Sequence, residues 1–277
     1  MTRHFEVVLF ETSSPGEAMH FARQALQKNF DLLLSAGGDG TLHEVVNGLL
    51  QGEEGGRLPT LGILPLGSGN DFARNFKIRR DADRILHALQ HPRFTQVNVG
   101  TMACYDVNNN PIRKYFINVA EVGIGTVVIG QFLKNKKYVG GAMGYYLAIL
   151  KSFLFYRPQS ISIRTSEGNW EGPVLTFAAG IGKWFGGGLC IAPEAEWNDG
   201  RLSWFRCGNI RIWNFLGYTG RLKGGKKIDH PQVVYGKDAS VYCDSASPQP
   251  VEADGEWVGY LPLTLGIHKR KLDFIYT

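Results

Sequence analysis

Three short stretches of the 277-residue chain hold the residue types that phosphate chemistry needs. Gly37, Gly38, Asp39, Gly40 and Thr41 lie between an apolar run at 31–35 and a helical pattern at 41–50. Glycines let a backbone come close to phosphate oxygens, and the N–H groups that open a helix point at the anion. Asp39 adds a carboxylate where a magnesium ion bound to those phosphates would sit. A tight strand-to-helix turn needs one glycine with positive φ, and three glycines around an acid exceed that requirement. Gly67, Ser68, Gly69, Asn70 and Asp71 repeat the device after the next apolar run, at 61–64. Adjacent strand ends in a doubly wound sheet converge on one crevice, so both turns can grip the same nucleotide. Near the C-terminus, the run VEADGE at 251–256 sets Asp254 and Glu256 on either side of a glycine. A hydroxyl attacks phosphorus well only as it loses its proton, which makes Asp254 the candidate base. Glu256 would help to hold metal or water. An Asp-Gly hairpin turn explains the same two acids on local grounds.

The elements that must position these residues alternate in the first hundred positions. Residues 5–10 (FEVVLF) read as a strand, 16–28 as a helix, 31–35 as a buried strand, 41–50 as a helix and 61–64 as a strand. A turn at 65–69 and a helix from Asp71 follow. That alternation predicts an α/β lobe over residues 1–100, doubly wound on a parallel sheet. From 101 to 277 the texture is β-rich: strands are expected at 115–119, 160–165, 170–181, 201–206, 239–244 and 250–253, interrupted by helices at 143–155 and 210–222. A sandwich-like second domain follows from that run, with the active site in the cleft between the lobes.

A net charge of +5 and a pI near 9.0 favour anionic partners, and no nucleic-acid motif stands out. Cys104, Cys190, Cys207 and Cys243 lack metal or disulfide spacing, which suits a reduced, cytoplasmic compartment. The first residues lack the apolar core of a signal peptide. The apolar stretch 138–156 contains Lys151 and reads as a helix buried in protein or facing lipid on one side. Basic residues at Lys134, Lys136 and Lys137, and at Lys223, Lys226 and Lys227, could dock on anionic headgroups. Trp184 and Phe185 are candidates to line a lipid slot. His20, His43, His87 and His230 show no pairing pattern and read as structural or surface residues.

With GGDGT at 37–41, GSGND at 67–71 and DGE at 254–256, the chain resembles the diacylglycerol kinase-like lipid kinases. Their catalytic domain is shared with sphingosine and ceramide kinases and is distantly related to NAD kinases. Gly186, Gly187 and Gly188 followed by Ala192 and Pro193, and the run NDGRL at 198–202, extend the match over essentially the whole chain. The resemblance implies a kinase using ATP and Mg²⁺, with diacylglycerol the default acceptor and a peripheral contact with the membrane. A homodimer is allowed. It further implies that Asp39, Asn70 and Asp71 serve the ATP and Mg²⁺ site, that Thr41 supports the phosphate turn, and that Asp254 and Glu256 supply base and metal-linked carboxylate. A structural Mg²⁺ loop is implied at Asp199, with backbone ligands near Glu196 and Arg201. Two departures stand out: the family opens with a strand and an Asn-Pro-x-Ser-Gly turn, and this chain begins one strand later; and Asn98 stands where the family usually has an aspartate. An NAD kinase-like enzyme and a nucleotide- or lipid-binding member without catalysis are the alternatives.

Overall fold

A computed structural model describes residues 5–52, 56–135 and 141–276. The first third runs α1 (Glu17–Gln27), β1 (Leu32–Gly37), α2 (Asp39–Gln51), β2 (Thr60–Pro65), α3 (Asp71–Asn75), α4 (Ala82–Gln90) and β3 (Arg93–Val97). Next come β4 (Gly100–Tyr105), β5 (Pro111–Phe116), β6 (Val119–Gly123), α5 (Ile124–Asn135), α6 (Gly141–Phe155), β7 (Gln159–Thr165), β8 (Gly168–Val174) and β9 (Thr176–Gly180). The rest is β10 (Trp184–Phe185), β11 (Leu189–Cys190), β12 (Leu202–Cys207), α7 (Ile212–Lys223), β13 (Val233–Asp238), β14 (Ser240–Asp244), β15 (Pro250–Ala253), β16 (Glu256–Ile267) and β17 (Leu272–Tyr276).

The first sheet has the order β1-β2-β17-β3. β2 runs parallel to both β1 and β17, and β3 runs antiparallel to β17. The α/β lobe with its parallel strands is therefore present. Its sheet is completed by a strand from the far end of the chain, which a division at residue 100 does not foresee. The strand expected at 5–10 does not form. FEVVLF has the right alternation, but a strand is defined by the ladder its neighbour supplies, and these residues pair with no other described strand. Val7 and Leu9 lie in solvent instead, and Phe10 folds back onto Phe21 with ring centres 5.1 Å apart.

The second lobe is an antiparallel sheet of eleven strands. The twelve-residue β16 organises it: one edge pairs first with β15 and then with β14, while the other edge pairs with β4. One apolar core joins the lobes, running from Leu42, Val46 and Leu49 of α2 through Phe72 and Phe274 to Val122, Phe177 and Leu263. A second core lies between β9, β12 and the helices α5 to α7. α5 was not expected. Its sequence IGTVVIGQFLKN is rich in β-branched residues and glycine, and burial of Val128 and Ile129 overrides that weak local preference.

Candidate active site

The two glycine turns form one unit. β1 and β2 are in parallel register with Gly37 opposite Pro65, so both chains leave the sheet side by side. The amides of Leu66 and Gly67 both donate to the Gly37 carbonyl, at 2.9 and 3.2 Å. Gly38 and Gly67 meet backbone to backbone, and a Cβ on Gly67 would overlap the Gly38 Cα. Asp39 opens α2, and its carboxylate accepts from the amides of Asp71 and Phe72, each at 3.1 Å. The acid of the first turn thus caps the helix that begins in the second. Asn70 takes the left-handed conformation, φ 52°, one of the few side chains that tolerate it, and its Nδ2 donates to the Gly67 carbonyl at 2.6 Å.

Asp71 connects this unit to the second lobe. Its Oδ2 accepts from the amide of Gly187 at 2.7 Å, and Arg74 Nε lies 3.4 Å from Oδ1. Gly186, Gly187 and Gly188 have φ of 62°, 78° and 104°, three consecutive left-handed residues that only glycines adopt without strain. Burial, and after it the charge on Asp39, push the Asp71 carboxyl up to about 6. Asp39 is raised as well, chiefly by burial, with a further push from Asp254. Three carboxylates therefore share one poorly solvated corner of the cleft.

Asp254 occupies a left-handed position, φ 54°, between β15 and β16. Its carboxylate is buried and accepts from the amides of Ile117 (3.1 Å), Asn118 (2.9 Å) and Val119 (3.2 Å). A fourth donor is His43 Nδ1 at 3.0 Å. With its proton on Nδ1, His43 can also accept from Asn47 Nδ2 at 3.3 Å, and Asn47 in turn exchanges hydrogen bonds with the backbone of Tyr115. The reading of His43 as structural or surface missed this buried pair. The signal lay in the spacing, because His43 follows Asp39 by four residues and so shares its face of α2. Glu256 reaches over the start of α2, and a Cβ on Gly40 would lie 2.6 Å from its Oε1. A Cβ on Gly37 would overlap the side chain of Thr41.

The loop at 196–201 lies apart from this corner. The Asp199 carboxylate is paired with Lys237 Nζ at 2.9 Å and accepts from the amide of Arg201 at 3.0 Å. The Glu196 carbonyl faces the Asp199 amide at 3.4 Å, and Lys271 Nζ donates to the Asn198 carbonyl at 2.7 Å. Asn98, with its carboxamide oxygen turned toward the loop, accepts from the amides of Gly200 (2.8 Å) and Asp199 (3.3 Å). These residues do not fit a divalent ion: one carboxylate is available, it already faces an ammonium, and a second ammonium stands on the neighbouring carbonyl. No cluster of three metal-binding side chains is found among the described residues. Any difference in melting temperature between EDTA and Mg²⁺ should accordingly be the same in Asp199→Asn as in the wild type, whereas Lys237→Met should lower the melting temperature by about 2 °C, the scale of one partly buried ion pair. A response to chelation that Asp199→Asn abolishes would show that an ion holds the loop.

An apolar cavity opens beside the glycine arch. It extends into the second core between Val128 of α5, Ile149 and Phe153 of α6, Phe205 of β12 and Phe215 of α7. Phe185 and Gly186 line its near end, whereas Trp184 is not among the lining residues and its carbonyl is engaged by Asn118 Nδ2 at 2.8 Å. Glu121, Tyr145 and Thr176 are polar members of its lining, and Thr176 Oγ1 donates to Glu121 Oε1 at 2.6 Å.

Two fused glycine turns at the strand ends of an α/β lobe, facing a carboxylate carried by a β-rich lobe, define a two-lobed kinase fold. Comparison with known proteins places the chain within that class. The diacylglycerol kinase catalytic domain matches residues 1–102, and the YegS C-terminal NAD kinase beta sandwich-like domain matches residues 119–276. A diacylglycerol kinase of Staphylococcus haemolyticus is 30% identical over 270 residues, covering 97% of this chain and 78% of that protein. One of Bacillus subtilis is 29% identical over 263 residues, covering 93% and 82%. A crystal structure of a Bacillus anthracis diacylglycerol kinase superimposes with a TM-score of 0.68 at 21% identity, over 96% of this chain and 83% of that one, and shares the fold. The chain belongs to the family of the diacylglycerol kinase catalytic domain.

Proposed function

We propose that this chain transfers the γ-phosphoryl group of ATP to the hydroxyl of a membrane lipid. The observation that carries the reading is the adjacency of the apolar cavity and the phosphate turns: Gly186 lines the cavity, and the next residue, Gly187, holds Asp71. In this reading the amides of Gly38 to Thr41 at the N-terminus of α2 and those of Ser68 and Gly69 cradle the phosphates, while the amides of Gly67 and Asp71 hold the two turns together. Asp39 and Asp71 would hold Mg²⁺. The donor set suits the ion, because two carboxylates plus substrate phosphates are a usual Mg²⁺ shell and buried Asp71 Oδ1 has only the Arg74 guanidinium against it, with Nε at 3.4 Å. Such an ion would neutralise charge on the transferring phosphoryl group. Asp254 takes the proton of the acceptor hydroxyl as its oxygen bonds to phosphorus and ADP leaves, and His43 holds the Asp254 carboxylate in place. Glu256, above Gly40, stands near the phosphates as a further metal- or water-binding carboxylate.

The lipid would be drawn from a membrane surface. α6 turns Tyr145, Ile149 and Phe153 to the cavity and leaves Met143, Leu147, Leu154 and Phe155 exposed on its other side, with Lys151 among them. Trp213 at the start of α7 is exposed too. Lys223 and Lys226 are exposed nearby, whereas Lys227 is paired with Glu194 at 2.7 Å, and Lys136 and Lys137 lie outside the described residues. An apolar face rimmed by lysines suits an anionic interface. Among the described residues no helix is long and apolar enough to cross a membrane.

Incubation with labelled ATP, a panel of lipids in vesicles, and NAD tests both statements. Label should appear in a phosphorylated lipid, and label confined to NAD or absent from every acceptor would overturn the reading. Replacing Leu154 and Phe155 together with serine should weaken vesicle binding about tenfold or more, since each buried apolar side chain is worth about 2 kcal/mol. Vesicle binding unchanged in that double variant would remove α6 as the docking face.

A further inference from the structure

The phosphoryl transfer described above leaves one charged side chain of the corner without a part. Arg74 follows Asp71 by three residues on the short helix α3, and its guanidinium meets three parts of the cleft at once. Nη2 donates to the Gly69 carbonyl of the second glycine turn at 3.1 Å. Nε stands 3.4 Å from Asp71 Oδ1, an ion pair without a hydrogen bond. A Cβ added to Gly188 would lie 3.3, 3.4 and 3.5 Å from Cζ, Nη2 and Nε, so the flat face of the group rests on that glycine of the arch. The arch begins at Gly186, which lines the apolar cavity. Arg74 therefore stands between the turn that would hold the nucleotide and the slot that would hold the acceptor, on the path of the transferred group.

A surface ion pair does not account for this placement. An i,i+3 pair whose arginine is 43% exposed contributes little to stability, and a lysine would serve it as well. The planar fork does more: it holds a carbonyl with one N–H, points another at a carboxylate, and keeps the rest of its five donors for a further anion. Its contact with Asp71 is the replaceable one, because Asp71 Oδ1 is also the oxygen placed to serve Mg²⁺. A cation and the guanidinium would compete for that oxygen, while the bond to Gly69 is untouched by the exchange.

We propose that Arg74 is a catalytic arginine: when Asp71 serves the ion, the guanidinium leaves Asp71 and, still held at the Gly69 carbonyl, turns to an oxygen of the γ-phosphoryl group of ATP. In the transfer step the acceptor oxygen bonds to the γ-phosphorus and gives its proton to Asp254. The bond from that phosphorus to the β,γ-bridging oxygen breaks, and its electron pair leaves with ADP. Arg74 makes no covalent bond. It offsets the negative charge spread over the three phosphoryl oxygens, a contribution worth about 10³- to 10⁵-fold in kcat where an arginine supplies it to other phosphoryl-transfer enzymes. This assignment rests on the kinase reading above and adds a residue to it.

The intact chain, Arg74→Met and Arg74→Lys test it, with melting curves to confirm that each variant is folded. Mn²⁺ alone, which takes the same oxygen donors as Mg²⁺, should bind Arg74→Met about threefold or more tightly than the wild type, because the competitor for Asp71 is gone. With Mg²⁺ present, the β,γ-imido analogue of ATP should bind Arg74→Met about fivefold more weakly, while ADP, which lacks the γ-phosphate, changes by less than about twofold. Lipid phosphorylation by Arg74→Met should show kcat lower by about 10³-fold with the lipid KM within about threefold, a split that places the loss in the transition state. Arg74→Lys, with the charge but not the fork, should recover less than about a tenth of the wild-type kcat. Unchanged Mn²⁺ affinity, an equal effect on the ATP analogue and ADP, or a kcat within about tenfold of wild type in folded Arg74→Met would each overturn the proposal. The two readings fail separately. A wild type that phosphorylates no acceptor, with both binding changes present in Arg74→Met, sinks the kinase reading and supports the contact between Arg74 and the γ-phosphate. An active wild type matched by folded Arg74→Met sinks Arg74 alone.

Discussion

Asp254→Asn should lower kcat by about 10²- to 10⁴-fold, the range that removal of a general base costs, while the affinity for ATP changes little. The structure adds a cost that the bare sequence does not reveal. The native carboxylate accepts from three amides and from His43, so an asparagine must turn its NH₂ toward at least one N–H donor. A buried donor left facing a donor costs about 1–3 kcal/mol, so the variant should melt several degrees lower and must be assayed well below that temperature. This control decides the matter, because a carboxylate with four donors is also a plausible clamp between β15, the 117–119 turn and α2. If Asp254 only clamps, activity will follow the folded fraction and return on cooling. If it is the base, fully folded protein remains inactive. A kcat within tenfold of wild type in folded Asp254→Asn would end its assignment as the base and leave it a structural residue.

Much of this corner could be read from the chain. The glycine turns were legible because their requirements are local: close backbone approach and a helix start each leave a residue-type signature, although none of Gly37, Gly38, Gly40, Gly67 and Gly69 takes the positive φ that a tight turn would ask of a glycine. Asp71 was legible as a turn acid, but its bond to Gly187 was not, since nothing in GSGND encodes which loop of a second lobe will arrive. His43 was missed for the same reason. Its partner lies 211 positions away, and the pairing exists only because β15 runs beside β6 and so brings Asp254 over α2. The strand at 5–10 was wrongly expected because alternation reports a preference for extended backbone, whereas a strand also needs a neighbour. β3, β4 and β17 were overlooked because short strands at a lobe boundary carry little pattern of their own. At the loop 196–201 the run NDGRL does not encode its long-range partners: Lys237 and Lys271 come from elsewhere to meet the Asp199 carboxylate and the Asn198 carbonyl. Glu121 of β6 and Glu252 of β15, both buried, also face each other across adjacent strands, and the sequence hid this because each lies singly in an apolar strand and only the antiparallel register pairs them.

Asp39→Asn should reduce kcat/KM by about 10³-fold and abolish the normal response to Mg²⁺, because several kcal/mol of transition-state charge stabilisation depend on the ion that Asp39 and Asp71 are placed to hold. Asparagine retains an acceptor oxygen for the α3 cap, so the fold should lose less than in Asp39→Ala, where the cap is gone and about 1 kcal/mol goes with it. Equal loss of activity in both variants, with a larger drop in melting temperature for alanine, would separate charge from capping. The same pair makes a signed prediction about Asp71. Its carboxyl is pushed up to about 6 first by burial and then by the negative charge of Asp39. Removing that charge favours ionised Asp71, so its pKa must move down, but not to the ordinary value, because the burial remains. A carboxyl-carbon NMR titration of ion-free protein should show the Asp71 midpoint lower in Asp39→Asn than in wild type. A midpoint that stays put or rises would mean that the two acids are not neighbours in solution, and with that the shared Mg²⁺ site would fall. A variant that still responds to Mg²⁺-ATP as the wild type does would dismiss Asp39 from the site on kinetic grounds alone. If both measurements come out as expected, the wild type tolerates a pair of crowded, poorly solvated acids whose charges repel. The cleft then gives up stability in order to be ready for a cation and the phosphates it accompanies.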